Sequence, residues 1–402
     1  MYTNKIRYKQ RPSSRRATRR ITLRLLAVLV LGLLLGLGWR VWHAQTTTTS
    51  SNVTEWHVLT APKPLHSYGI AAGSSLTSLS SQALNARLDG IATTGAQWIR
   101  FDFDWSLIQP TDSHEYRWTT YDKIVAAATK RHLSILGIIT YTPAWARDAA
   151  CADDDKCPPA DPAQFAAFAA ALAHRYKQNG VHDWEIWNEP NNPQFWASGA
   201  NPTAYTALLK QTFTALHAED NQSYVLTGGL SPQPNSNTAV APIDFLAGIY
   251  KAGGKDFFDA VADHPYTFPL SPLSAADHAW NQMAADNHSL RQLMVTNGDA
   301  AKKIWITEFG APTDGPGPVA TLQNPQLDAH PYVVNDQLQA KLLADAVSLY
   351  KSYSWVGPFF YYSYQDAGTD PSTNENFFGL LRYDGSQKPA YAAFKQAAAA
   401  AH

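Results

Sequence analysis

From Ser67 onward the chain alternates between two hydrophobic patterns. Short apolar runs, rich in β-branched and aromatic residues and bounded by turn residues, are each followed by an Ala/Leu-rich stretch with helical spacing, the pattern of repeated βα units. The runs predict strands at 68–71, 98–103, 134–140, 183–187, 224–227, 260–262, 303–307 and 357–362. The intervening stretches predict helices at 81–93, 119–130, 162–176, 202–218, 243–252, 289–296, 336–350 and 389–400. Asp161-Pro162 and Asn201-Pro202 each place a capping side chain ahead of a proline in the first helical turn. Eight repeats in roughly 335 residues predict an α/β fold, a single (β/α)8 TIM barrel over residues 67–402. A doubly wound open sheet is the competing arrangement, but no Gly-rich phosphate loop follows the first strand.

The barrel carries a chemical expectation. Functional side chains should lie where strands end and in the loops that follow. The long loops fall at 143–161, 190–201, 265–286, 311–335 and 365–388, all on that one face and rich in Pro, Gly, Asp and aromatic residues.

Ahead of the repeats the pattern changes. Residues 25–38 are a continuous apolar run, and the segment from Ile21 to Trp42 reaches membrane-spanning length. Arg24 and Arg40 flank it, and Trp39 and Trp42 suit an interface. The expectation is a basic cytoplasmic tail (1–20), a transmembrane anchor or signal segment (21–42) and a Thr/Ser/Pro linker (43–66). Trp42-His43-Ala44 puts a bulky residue where signal cleavage wants a small one, which favours the anchor. The positive-inside rule then places the C-terminal body outside the cytoplasm, membrane-anchored, or secreted if the segment is cleaved.

Charge and composition refine this picture. The 402 residues are 45% hydrophobic and 16% charged, which allows a large core. The net charge of -1 is misleading, because residues 1–42 carry ten Lys or Arg and no Asp or Glu. Taking those ten charges away leaves about -11 for the body, so a nucleic-acid partner is not expected there. The only cysteines, Cys151 and Cys157, stand in an Asp- and Pro-rich loop. In an oxidising compartment they read as a disulfide; a metal site needs more ligands than these. Neither His-Glu-x-x-His, nor a phosphate loop, nor a Gly-x-Ser-x-Gly elbow occurs, and no cofactor or metal is implied.

Two stretches end β-rich runs on a glutamate: Trp184-Glu185-Ile186-Trp187-Asn188-Glu189-Pro190 and Ile304-Trp305-Ile306-Thr307-Glu308-Phe309-Gly310. Pro190 cannot extend a ladder and Gly310 eases a turn, so Glu189 and Glu308 belong at strand C-terminal ends. They stand 119 positions apart. At about 40 residues per repeat this puts them on strands four and seven, facing each other across a barrel mouth. Two carboxylates flanking one bond are what glycosidic cleavage needs.

Trp-Asn-Glu-Pro at 187–190 with Thr-Glu-Phe-Gly at 307–310 resembles clan A of the glycoside hydrolases, retaining (β/α)8 enzymes, and most of all the family 39 and family 5 types. The resemblance covers about residues 67–400. It implies Glu189 as general acid/base and Glu308 as nucleophile of an enzyme acting on an extracellular oligo- or polysaccharide. It further implies Asn188 at the sugar 2-hydroxyl, Arg100 and Tyr266 beside the nucleophile, and His264 at Glu189 or the substrate. Where the clan often has tryptophan after strand eight, this chain has Tyr362, expected to stack on sugar and to lead a cis peptide to Ser363.

Trp145 and Trp196 are expected as sugar platforms, with packing beneath the loops as the alternative. Asp102 and Asp104 could bind substrate hydroxyls, or cap the next turn. Glu185, with no charged neighbour expected, reads as structural. A non-catalytic glycan-binding barrel and a transglycosylase remain the rival functions.

Overall fold

The computed structural model describes residues 66–325 and 332–400. The tail, the anchor or signal segment and nearly all of the linker expected at 1–66 lie outside the described residues. Among the described residues no helix is long and apolar enough to cross a membrane.

Eight parallel strands close a barrel: β1 (Tyr68–Gly73), β2 (Trp98–Asp104), β3 (Ser134–Thr140), β4 (Asp183–Asn188), β5 (Tyr224–Gly229), β6 (Ala260–Asp263), β7 (Lys303–Ile306) and β8 (Val356–Tyr362). Neighbours in sequence are neighbours in space, and β8 pairs with β1 in the register Tyr68↔Phe359 and Ile70↔Tyr361. The connecting helices are α1 (Ser81–Thr93), α2 (Thr119–Thr129), α3 (Pro162–Tyr176), α4 (Pro202–Glu219), α5 (Pro242–Lys251), α6 (Leu290–Thr296), α7 (Asp336–Ser352) and α8 (Pro389–Ala399). Every strand and helix expected from the pattern is present, with ends moved by one or two residues. The caps act as anticipated: Asp161 accepts from Ala163 N, and Asn201 accepts from Thr203 N and Ala204 N. The β7 loop contains a two-residue parallel pair, Val319–Ala320 with Val333–Val334, which the alternation did not reveal.

Strand alternation sorts side chains into two layers. Outward residues such as Ile99, Phe101, Phe103, Trp184 and Ile186 join the helices in the main core. Inward ones, including Trp98, Leu136, Leu226, Trp305 and Phe360, form a second cluster that fills the barrel. Trp98 meets Trp305 edge-on at 5.4 Å between ring centroids, and Trp305 stacks with Phe360. This aromatic floor matters for the site. One inward step further along β2, the side chain changes from Trp98 to Arg100, and the barrel interior turns from apolar to charged.

Candidate active site

Arg100 is fully buried and touches four groups from three other strand ends. Its Nε and Nη2 donate to Glu185 Oε2 and Oε1 at 2.7 and 2.9 Å. Nη1 donates to Glu308 Oε1 at 2.5 Å, and Nη2 also donates to Asn188 Oδ1 at 3.1 Å. Nη2 lies 3.3 Å from His264 Nε2 as well. A guanidinium is suited to this, since its donors are held in one plane and remain charged when buried.

Glu185 corrects the sequence expectation. It has a charged neighbour after all, and it forms the base of the site. Besides Arg100, its Oε1 accepts from Gly229 N at 2.8 Å and from Thr307 Oγ1 at 3.3 Å. A signal was available: Glu185 and Arg100 are opposite charges, each set in an apolar strand, and buried charges must pair.

Glu308 follows β7. Its Oε2 accepts from Tyr266 OH at 2.7 Å, opposite the Arg100 contact at Oε1. Burial would raise its proton affinity, but the charges of His264 and Arg100 and the hydrogen bonds from Tyr266 and Arg100 outweigh that and hold Glu308 below the usual carboxylate range. Glu189 follows β4 with a positive φ of 45°, and Trp187 before it has φ 71°. These left-handed residues end the ladder, while Glu189 N still bonds Gly229 O at 3.1 Å. Its two oxygens meet His264 Nδ1 at 3.0 Å and Asn192 Nδ2 at 2.9 Å. Asn192 was not anticipated; its amide fixes the carboxyl from within the same loop.

His264 ends β6, fully buried, with Nδ1 also 3.7 Å from Glu308 Oε2. Burial lowers its proton affinity, yet the charge of Glu308 and the bond to Glu189 raise it further, so the net shift is upward. Gly229 makes room for the ring: a Cβ there would lie 2.1 Å from His264 Nε2. One ligand atom each from Glu189, His264 and Glu308 lies within 4.8 Å of the others. Such a trio has donor types that a divalent cation accepts, but both oxygens of Glu308 already hold protein donors.

The remaining expected site residues divide. Asn188 is buried beside Arg100, and among the described residues its NH2 group donates to no protein acceptor. Tyr362 is half-buried near Glu308, and its bond to Ser363 is cis as anticipated. It also borders a cavity of about 480 Å³ between the β1 and β8 loops, shared with Gln365, Glu375 and Tyr383.

Trp196 is a correction: it is 1% exposed and packs on Trp187 and Tyr205 at 5.3 and 6.0 Å, so it offers no face to a sugar. Trp145 is half-buried, donating Nε1 to Gln109 O at 2.7 Å and meeting Trp105 edge-on. Asp104 is also a correction. Its carboxylate caps the turn Trp105–Ile108, accepting from Leu107 N and Ser106 Oγ, so the capping alternative holds. Cys151 and Cys157 are joined in a disulfide, with Cα atoms 5.4 Å apart.

The chain thus folds as a closed eight-stranded parallel barrel with two glutamates converging at its C-terminal mouth. It belongs to the family described as Cellulase (glycosyl hydrolase family 5), which matches residues 66–332. Solved structures share the fold. A family 39 glycoside hydrolase from the gut symbiont Bacteroides cellulosilyticus WH2 aligns with TM-score 0.62 at 22% identity, over 84% of this chain and 64% of that one. This chain therefore spans less than two thirds of that protein. GH5_18 from Streptomyces cattleya, solved in complex with GlcNAc, aligns with TM-score 0.61 at 16% identity, over 85% and 81%. A GH39 β-xylosidase from Caulobacter crescentus aligns with TM-score 0.59 at 19% identity, over 84% and 72%. No curated protein matches.

Proposed function

We propose that the protein is a retaining β-glycoside hydrolase acting by double displacement on an oligo- or polysaccharide outside the cytoplasm. The observation that carries this is the approach of Glu189 and Glu308. A carboxylate oxygen of each lies within 4.8 Å of the other, in keeping with the roughly 5–5.5 Å between carboxyls that retention needs and short of the roughly 6.5–9.5 Å used in inversion.

Glu308, kept ionised by Arg100 and Tyr266, attacks the anomeric carbon. Glu189 gives its proton to the leaving oxygen, so the glycosidic bond breaks as the glycosyl ester forms. Water then enters, Glu189 takes its proton, and attack at the same carbon frees Glu308 and restores the configuration. Asn188, with its NH2 group unspent, is placed to donate to the sugar beside Glu308. Tyr362 borders the same space, and the adjoining cavity leaves room for a further sugar unit. The Cys151–Cys157 bridge supports a location in an oxidising compartment.

The test is incubation with aryl β-glycosides and a polysaccharide panel, following the anomer first released by NMR. Release of the β-anomer is expected, with none from Glu308→Gln. First release of the α-anomer would overturn retention, and glycan binding without cleavage would leave a binding barrel. Transfer to an added sugar acceptor instead of water would mark a transglycosylase.

A further inference from the structure

We infer that Asp102 is a specificity-determining residue: its carboxylate accepts hydrogen bonds from hydroxyls of the sugar held beside Glu308, so that the site takes an uncharged sugar and refuses a uronic acid. This rests on the glycosidase reading above and adds the substrate class.

Position is the first argument. Along β2 the inward side chains are Trp98, Arg100, Asp102 and Asp104, while Phe101 and Phe103 face the helices. Trp98 belongs to the floor, Arg100 to the ion-pair layer, and Asp104 to the cap at the rim. Asp102 thus stands one inward step beyond the arginine that grips Glu308.

The second argument is an unmet demand. Asp102 is only 7% exposed, yet among the described residues no protein donor bonds its carboxylate. Asp104, Glu185, Glu189 and Glu308 all have such donors. Its oxygens are not sealed off as Asp183 Oδ1 is, so they are left open to a donor supplied by the ligand. Burial, with Asp104 and Glu308 adding to it against the pull of Arg100, pushes Asp102 up to about 7. A carboxyl in that condition gains from any donor that arrives.

Charge around the space gives the third argument. The field of Asp102 reaches Tyr141 and Tyr362, and Glu375 on the rim feels both Glu189 and Glu308. Against these carboxylates stands Arg100, already shared between Glu185 and Glu308. Lys156, over the Tyr141 ring, is paired with Asp155. A sugar carboxylate beside Glu308 would enter among several like charges, with Arg100 already shared; Arg87, bonded to Gln365, lines only the adjoining cavity.

The experiment compares wild type with Asp102→Asn on aryl β-glucoside, mannoside, xyloside and glucuronide, and on monodeoxy forms of the best substrate. The expected loss in kcat/KM for Asp102→Asn on the best substrate is on the order of 10–100-fold. That loss should vanish on the deoxy form lacking the bonded hydroxyl, and the glucuronide, refused by wild type, should gain. Equal loss on every deoxy form, or a wild type that prefers glucuronide, overturns the proposal.

Asp102→Ala, with thermal melting of both variants, separates a folding defect from a recognition defect. If wild type cleaves no glycoside, the hydrolase reading fails but this one is still decided. Calorimetry with glucose, mannose, xylose and glucuronic acid would show tighter binding of neutral sugars by wild type than by Asp102→Asn, whereas equal binding overturns it.

Discussion

Both oxygens of Glu185 hold Arg100, at 2.7 and 2.9 Å, while the far side of the same guanidinium reaches Glu308 at 2.5 Å. One cation is therefore shared between a carboxylate below the site and a carboxylate within it. Glu185 fixes the plane of the guanidinium, and that plane decides where the donor for Glu308 points. Glu308 is oriented by a residue it does not touch.

Removing Glu185 should therefore be felt in both stability and rate. Glu185→Ala leaves Arg100 with one carboxylate in a buried layer, and a loss of about 3–5 kcal/mol in unfolding free energy is expected. Denaturant titration measures it. Glu185→Gln keeps the shape and one acceptor. It should fold, and its kcat should fall while KM changes little, since the amide no longer anchors Arg100 with two charged contacts. An unchanged kcat in the glutamine variant would remove Glu185 from any positioning role.

The depressed Glu308 sets a direction for pH. A carboxyl whose folded value is lowered stays ionised as pH falls, until that lowered value is crossed. The acid limb of kcat/KM should thus lie below the ordinary glutamate value of about 4.3. Tyr266→Phe deletes one hydrogen bond to the ionised form and should move that limb upward by about one pH unit. Stability follows the same sign, present above the unfolded value and lost as pH falls through the folded one. His264 runs oppositely: raised in the fold, it contributes fully below the ordinary imidazole range and loses that contribution as pH rises through its folded value. Thermal melts of wild type and His264→Gln across pH 4–9 should converge at the alkaline end.

Protonation of the leaving oxygen matters only when the leaving group is poor. Glu189→Ala should therefore lose on the order of 10²–10⁴-fold in rate on an alkyl glycoside. On a dinitrophenyl glycoside, whose leaving group needs no proton, the first step should be nearly spared. Pre-steady-state release of dinitrophenol reads this as a burst followed by a slow second step, because no base remains to activate water. A uniform loss across leaving groups would assign Glu189 a different role.

How far the sequence revealed this arrangement depends on what each residue interacts with. Strands, helices and the caps at Asp161 and Asn201 are local devices, set by period and by neighbours one to three positions away, and all were legible. Glu189 and Glu308 were legible because a β-rich run ending in a glutamate and a turn residue is itself a local pattern. What Asp104 does was undecidable in advance, since a short acid before a turn can cap or bind, and only Leu107 N and Ser106 Oγ settle it. Trp196 was misjudged because a loop aromatic looks the same whether it faces solvent or packs on Trp187. Glu185 was missed for a related reason: its partner, Arg100, is 85 positions away and only barrel closure joins them.

Gly229 offers the sharpest test of the packing behind the site. It pairs with Asn188 across β4 and β5, donates its N–H to Glu185, and leaves space for the His264 ring. An added methyl would sit 2.1 Å from His264 Nε2, well inside van der Waals contact, and its neighbours there include the atoms of a fully buried ring. The ring must move, and moving it breaks the 3.0 Å contact with Glu189 Oε1. Gly229→Ala should fold with a cost of about 1–3 kcal/mol, as overpacking of a filled interior does. Its activity should fall by at least about tenfold, in step with a barrier increase of about 1.4 kcal/mol. His264→Ala should restore the space, so that the double variant melts higher than Gly229→Ala alone while remaining poorly active. A double variant no more stable than Gly229→Ala would mean that the strain is taken up elsewhere and that Gly229 does not shape the site.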